Sequence, residues 1–262
     1  MPKSAFLQSR YSNNVLVFGH RGAKAYAPMN TLPSFLLAVE QGADGVELDV
    51  WLSKDGHLVI IHDATVDGTT DGHGEVQAMT LAELKALDAG GWFAPNFAGT
   101  RIPTLDEVFD ALPSDFLINV EIKKVDNTST ETDGVEAAVA ECIRRHQAQE
   151  RVIVSSFSLN ALERFHAAMS DVALGYLYVA PEQVEAAQAS PLEFDFMHPL
   201  HESVTSDLIN KHRALGSLTN VWTVNDAQRM RWLIEAGVNG LITDAPDVGR
   251  SVVNEWKRGT QA

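Results

Sequence analysis

The 262-residue chain predicts a (β/α)8 barrel, read as one domain over residues 1–262. Three observations carry that expectation. Strand-like and helix-like stretches alternate along almost the whole chain, and eight barrel strands can be counted in it. The first strand also lacks the GxGxxG turn that a doubly wound, dinucleotide-binding sheet would place after it.

The elements follow in order. Val15–Gly19 (VLVFG) is the first apolar run. Thr31–Gln41 carries Leu32, Phe35, Leu36 and Val39 at helical spacing, with Asn30 placed to cap its start and Gly42 its end. Gly45–Leu52 (GVELDVWL) alternates strictly, and Lys54–Asp55–Gly56 turns it back into Leu58–Ile61, a hairpin partner outside the barrel count. The stretch Asp63–Arg101 is too long for a simple βα loop and reads as a small insertion on the active face, with a short helix at Thr80–Leu87. Leu105–Leu112 is helical and Phe116–Lys123 is the next strand. Val152–Ser155, Leu174–Val179, Phe194–Met197, Asn220–Val224 and Gly240–Thr243 complete the barrel strands. The helices between them centre on Val135–His146, Leu159–Met169, Pro181–Ala189, Ser206–Leu215 and Ala227–Ala236, and Val248–Lys257 closes the chain.

Composition narrows the partners. A formal charge of −15 repels nucleic acid and anionic lipid alike. It also repels a phosphate substrate, so a site for one must make its own positive field, and a bound divalent cation is the natural source. The single cysteine, Cys142, allows no intrachain disulfide and reads as a small buried hydrophobe. Met1 to Asn14 has no apolar export segment, and no apolar run approaches the ~20 residues of a membrane span. A cytoplasmic protein without membrane insertion is expected; the sequence fixes no oligomeric state.

Polar residues gather at strand ends, where the active sites of such barrels lie. The first strand ends in Gly19–His20–Arg21–Gly22, the hairpin in His62–Asp63, and the seventh barrel strand in Trp222–Thr223–Val224–Asn225. Period two puts Glu47 and Asp49 on one face of their strand, opposite Val46, Leu48 and Val50. Asn119, Glu121 and Lys123 share a face in the same way. Adjacent strands thus aim three carboxylates and an ammonium at the barrel mouth. Carboxylates so close repel strongly, and an all-oxygen set relieves that repulsion by holding Mg²⁺, Ca²⁺ or Mn²⁺ rather than zinc. His57, His146, His166, His198, His201 and His212 have no comparable neighbours and read as packing or surface residues.

The segments HRGA (His20–Ala23), P-x-N-T (Pro28–Thr31), GADGVELDV (Gly42–Val50), the KDG turn, HD (His62–Asp63), EIK (Glu121–Lys123), VWTVN (Val221–Asn225) and GLITDAPD (Gly240–Asp247) resemble the glycerophosphodiester phosphodiesterase family over nearly the whole chain. The resemblance implies a (β/α)8 barrel that hydrolyses glycerophosphodiesters to glycerol 3-phosphate and an alcohol. It implies that Glu47, Asp49 and Glu121 hold one divalent cation, that His20 and His62 form an acid/base pair, and that Arg21 and Lys123 contact the phosphate. His20 is assigned as base and His62 as acid, with the reverse left open. Trp222 is expected to form an apolar wall for the substrate, and Trp92, Phe93 and Phe97 of the insertion either cover the substrate or pack the insertion onto the barrel.

Two positions depart from the family pattern: Met29 stands where Glu is usual, and Gly68 where Arg is common. Both bear on substrate choice more than on chemistry. The rival enzyme reading is a lysophospholipase D or phosphoinositide-type phospholipase on a related barrel. It would want a basic or apolar membrane rim, which the acidic charge opposes. A non-catalytic phosphate-binding barrel would be expected to lack a histidine or carboxylate of the set, and none is missing.

Overall fold

In the computed structural model, which describes residues 2–260, eight parallel strands close into a barrel. The chain runs α1 (Ala5–Tyr11), β1 (Leu16–His20), α2 (Leu32–Glu40), β2 (Gly45–Leu52), β3 (Leu58–Ile60), α3 (Leu81–Ala86), α4 (Leu105–Ala111) and β4 (Leu117–Ile122). It continues through α5 (Val135–Arg145), β5 (Val152–Ser156), α6 (Leu159–Ala168), β6 (Ala173–Tyr178), α7 (Val184–Ala189), β7 (Phe196–Pro199) and α8 (Ser206–Ala214). It ends in β8 (Leu218–Val221), α9 (Ala227–Ala236), β9 (Gly240–Thr243) and α10 (Pro246–Thr260). Pairing of β1 with both β2 and β9 closes the ring. β3 is antiparallel and joins β2 only at Val50–Leu52, beyond the stretch of β2 that β1 covers.

Alternation sorts the strands' side chains. Val46, Leu48, Val50, Ile118, Val120 and Ile122 face outward and pack against helix residues such as Phe35, Leu105, Val108, Val139 and Ile143. Leu16, Phe18, Leu117, Ile153, Ala173, Phe196 and Ile242 face inward and fill the lower barrel. This is the layered packing that makes such a barrel solid rather than a pore.

The first helix lies outside the expected elements. Leu7 and Tyr11, four residues apart, with Phe6 packed beside them, give α1 an apolar face that spans little more than one turn, too short a signal to stand out in the sequence. Ser4 caps it, its hydroxyl accepting from Leu7 N at 3.1 Å. Leu7 and Tyr11 then close the floor of the barrel, the Tyr11 ring lying 5.0 Å from that of Phe196 and its hydroxyl accepting from Asn220 Nδ2 at 2.8 Å.

Boundaries shift by a residue or two for local reasons. Phe194 and Asp195 precede β7 rather than opening it; the Asp195 carboxylate accepts from Lys3 N and Leu174 N, and its carbonyl from Leu218 N. β8 ends at Val221, so Trp222–Asn225 is an irregular strand exit, tied to β7 by a single bridge between Trp222 and Leu200. Thr31, not Asn30, sits at the start of α2; Asn30 turns to a left-handed φ of 58° and is used in the site. Residues 63–101 do form an insertion, holding α3 and two 3₁₀ turns, with a core of Val66, Val76, Leu84 and Ala89 packed on Trp51, Val59 and Ile61. Cys142 is fully buried, as expected. No helix among the described residues is long and apolar enough to cross a membrane.

Because Leu7 is completely enclosed at the barrel floor, Leu7→Ala should cost about 2–5 kcal/mol, measured by denaturant unfolding of the chelator-treated protein. A loss below 1 kcal/mol would show that α1 is not part of the folded core.

Candidate active site

The site is built on the C-terminal ends of β1, β2 and β4. Register sets Glu47 beside both His20 and Asn119, and Asp49 beside Glu121. Glu47, Asp49 and Glu121 are all buried, and a carboxylate oxygen from each lies within 4.8 Å of the other two. Burial pushes the Glu47 carboxyl well above its usual value, reinforced by Asp49 and Glu121. Burial likewise raises Glu121, to about 7. Asp49 goes the other way: burial opposes its charge, but Lys123, Arg21 and His62 outweigh burial and bring it to about 2. The set is thus one firmly ionised carboxylate with two reluctant neighbours, and a divalent cation among them fits it. One Asp49 oxygen, Oδ1, is buried with no hydrogen bond and only the Lys123 ammonium facing it at 3.4 Å, so it keeps a lone pair that a metal could use.

The two cations are fixed to this cluster. Arg21 leaves the end of β1 with a left-handed φ of 53°, followed by Gly22 at 86°. A Cβ at Gly22 would lie 2.3 Å from Ser34 Oγ, so only glycine allows this turn against α2. The turn aims the Arg21 backbone N–H at Glu47 Oε2, 3.0 Å away, and its guanidinium Nε at Asp49 Oδ2, 3.2 Å away. Lys123 Nζ reaches Glu121 Oε1 at 2.8 Å and Asp49 Oδ1 at 3.4 Å, and those carboxylates raise its pKa against the pull of burial. Asn30 completes the hold, donating from Nδ2 to Asp49 Oδ2 at 2.8 Å.

Each histidine of the expected pair has its own carboxylate. His20 Nδ1 lies 2.6 Å from Asp244 Oδ1, and His62 Nδ1 lies 2.7 Å from Asp63 Oδ1. A carboxylate at Nδ1 holds the hydrogen there in the neutral ring, leaving Nε2 with its lone pair. Burial lowers the proton affinity of both rings, and the partner carboxylates resist that. Asp244 is itself clamped: Asn225 Nδ2 donates to its Oδ2 at 2.9 Å, and Asn225 Oδ1 accepts from its backbone N–H at 2.9 Å. Asp244, Asn225 and Asn30 were assigned no role in the site from sequence. For Asp244 and Asn225 the usable signal was position, since both stand just past the ends of barrel strands.

These groups surround a cavity of about 190 Å³ with two unlike halves. His20, Arg21, Glu47, His62, Glu121 and Lys123 line one; Phe157, Leu177, Trp222 and Ile242 line the other. Trp222 stands on Phe157 edge to face at 5.4 Å and is anchored by its indole N–H on His198 O at 2.7 Å. Trp92, Phe93 and Phe97 do not line the cavity; they pack on one another with ring centres 5.7 Å apart. His198 is fully buried inside the barrel over Gly175, and burial alone depresses it to about 3. A larger cavity of about 380 Å³ opens at the N-terminal ends of β7 and β8, but its Asp195 is already spent on backbone N–H groups. Asp106, Cys142 and His146 also lie close together outside the barrel, yet Arg145 and His146 already engage Oδ1 of the Asp106 carboxylate.

A closed parallel barrel with this set of groups at its mouth defines a (β/α)8-barrel enzyme. Residues 20–248 match the Glycerophosphoryl diester phosphodiesterase family, and the chain belongs to that family of phosphoric diester hydrolases. A glycerophosphodiester phosphodiesterase from Caldanaerobacter subterraneus subsp. tengcongensis is 40% identical over 245 residues, covering 93% of this chain and 98% of the relative. The solved Oleispira antarctica phosphodiesterase, in complex with its product sn-glycerol-3-phosphate, superposes with a TM-score of 0.84 at 32% identity, covering 93% of this chain and 98% of that one. A glycerophosphodiester phosphodiesterase from Agrobacterium tumefaciens follows with a TM-score of 0.77 at 29% identity, over 90% and 99% of the two chains.

If Asp244 fixes the His20 ring, Asp244→Asn should lower kcat by about 10²-fold or more through the wrong tautomer, with metal affinity unchanged. Steady-state kinetics and a metal titration on the same variant check this; a loss under fivefold would remove Asp244 from the machinery.

Proposed function

We propose that the chain hydrolyses glycerophosphodiesters to sn-glycerol 3-phosphate and an alcohol, with one divalent cation held by Glu47, Asp49 and Glu121. The observation that carries this reading is the cavity in which two carboxylate-paired histidines face the buried carboxylate cluster and its two cations. The Oleispira phosphodiesterase, bound to sn-glycerol-3-phosphate, supports the substrate class. The donor set is all oxygen, which favours Mg²⁺, Ca²⁺ or Mn²⁺. When bound, the ion supplies Lewis-acid polarisation of a phosphate oxygen and a template for the substrate.

The chain's own groups account for the rest. Arg21 and Lys123 line the cavity and oppose the charge that gathers on the phosphoryl oxygens as the new bond forms. His20, neutral and held by Asp244, takes through Nε2 the proton of the attacking oxygen. As that oxygen bonds to phosphorus, the bond from phosphorus to the leaving alcohol oxygen breaks. His62 gives that oxygen its proton. A lowered proton affinity makes the His62 imidazolium the stronger donor at the expense of a smaller protonated fraction, a loss that Asp63 limits. Phe157, Leu177 and Trp222 give the substrate's carbon skeleton an apolar wall and keep bulk water from that side.

Exhaustive chelation should abolish turnover, and Mg²⁺, Mn²⁺ or Ca²⁺ should restore it; full activity after chelation would refute the metal role. His20→Ala and His62→Ala should each lower kcat by about 10²–10⁴ with the fold intact. A nitrophenyl leaving group, which needs no proton, should rescue His62→Ala and not His20→Ala; the opposite pattern exchanges the two roles. Trp222→Ala should raise KM while leaving metal affinity nearly unchanged, since it removes a wall and no ligand. An unchanged KM in that variant would show that the indole does not contact substrate.

A further inference from the structure

Arg21 is held asymmetrically. Its Nε faces Asp49, but its Nη1 faces the Met29 sulfur at 3.4 Å. A thioether is an uncharged, weak acceptor, so nothing on that side neutralises the guanidinium. Met29 is half-buried and also lines a crevice with Ile61 and His62. The charge next to Arg21 therefore turns on this position. Within the inner cluster alone, Glu47, Asp49 and Glu121 stand against Arg21 and Lys123, while Asp63 and Asp244 belong to the histidines. An acid at residue 29 would add a negative charge directly beside the guanidinium. In a chain carrying −15 overall, a guanidinium left uncompensated on that face helps to attract an anion against the field of the whole surface.

We propose that Met29 is a specificity-determining residue: an uncharged wall beside Arg21 that leaves the guanidinium without a counter-charge on that face and so strengthens the site's hold on anionic phosphate. This rests on the phosphodiesterase reading of the site. Its consequence is distinct, because it concerns the affinity for phosphate charge rather than the chemical step. Met29 makes none of the contacts that fix the carboxylates or the histidines, so a change of charge there acts mainly through Arg21.

The test is a charge series at one position. Met29→Glu, Met29→Gln and Met29→Lys are loaded with metal and titrated calorimetrically with sn-glycerol 3-phosphate, and KM is measured for glycerophosphocholine. Met29→Glu should weaken glycerol 3-phosphate binding and raise KM by about tenfold, a change of one decade in affinity. The dianionic product should lose more than the monoanionic substrate. Met29→Gln should stay within about threefold of the parent, and Met29→Lys should bind glycerol 3-phosphate more tightly. Metal affinity should hold or tighten in Met29→Glu and weaken in Met29→Lys, opposite to the phosphate trend. The proposal is overturned if Gln and Glu weaken binding equally, if all three bind alike, or if Lys weakens binding while leaving metal affinity intact. Should Met29→Glu fail to fold, the Gln and Lys arms decide alone. Absence of any glycerophosphodiester turnover by the loaded parent protein would sink the phosphodiesterase reading instead, while the calorimetric series still decides the role of Met29.

Discussion

Glu47, Asp49 and Glu121 place three carboxylates in a space from which water is largely excluded, and the surroundings of the site answer that electrostatic strain. Only Asp49 is made comfortable by the protein itself, between Arg21, Lys123 and Asn30. Glu47 and Glu121 are left with their proton affinity raised, an imbalance that a divalent cation would relieve. A cluster fully neutralised by its own lysines and arginines would be a structural ion-pair network with no need of an ion. The shortfall of one positive charge separates this mouth from such a network.

That shortfall explains local features that would otherwise look like irregularities. Arg21 and Asn30 both take left-handed backbone conformations, which non-glycine residues seldom adopt without a compensating contact. In each case the contact is a carboxylate of the cluster: Arg21 turns its backbone N–H onto Glu47, and Asn30 turns its side chain onto Asp49. The histidines are governed by separate carboxylates outside the cluster. This division keeps the two imidazoles from competing with a cation for the same oxygens. Asp244, just past β9, and Asp63, just past the hairpin, approach from the two flanks of β1, so each imidazole has its own carboxylate.

The lower barrel has a different task. Phe18, Leu117, Ile153 and Phe196 fill it, and α1 seals it with Leu7 and Tyr11. The polar mouth thus rests on an apolar plug, which holds the carboxylate-bearing strands in register from below. The insertion shapes the rim by packing on Trp51, Val59 and Ile61, and its aromatic trio serves its own packing rather than the cavity.

Strand periodicity was readable from the chain because it is a local property. The alternation of Glu47 and Asp49 with Val46, Leu48 and Val50 needs no knowledge of neighbours, and neither does the facing of Glu121 with Lys123. The eight-strand count, the insertion and the strand-end placement of His20, His62 and Trp222 followed from the same local signals. Three kinds of information were not local. The helix α1, seven residues long, is too short for its periodicity to declare itself until the barrel floor is there to receive Leu7 and Tyr11. Asn30 reads as a helix cap because its amide oxygen could accept from the helix start, but its amide N–H can equally donate to a carboxylate, and only the position of Asp49 decides between them. The pairing of His20 with Asp244 joins the first strand to the last across 224 residues, and it exists only because the sheet closes on itself. Residue identity and spacing therefore determined which chemical groups the mouth would contain. Barrel closure and the turn after β1 decided which of them meet, because contact between remote strands is set by sheet register and ring closure, not by any feature of the strands taken singly.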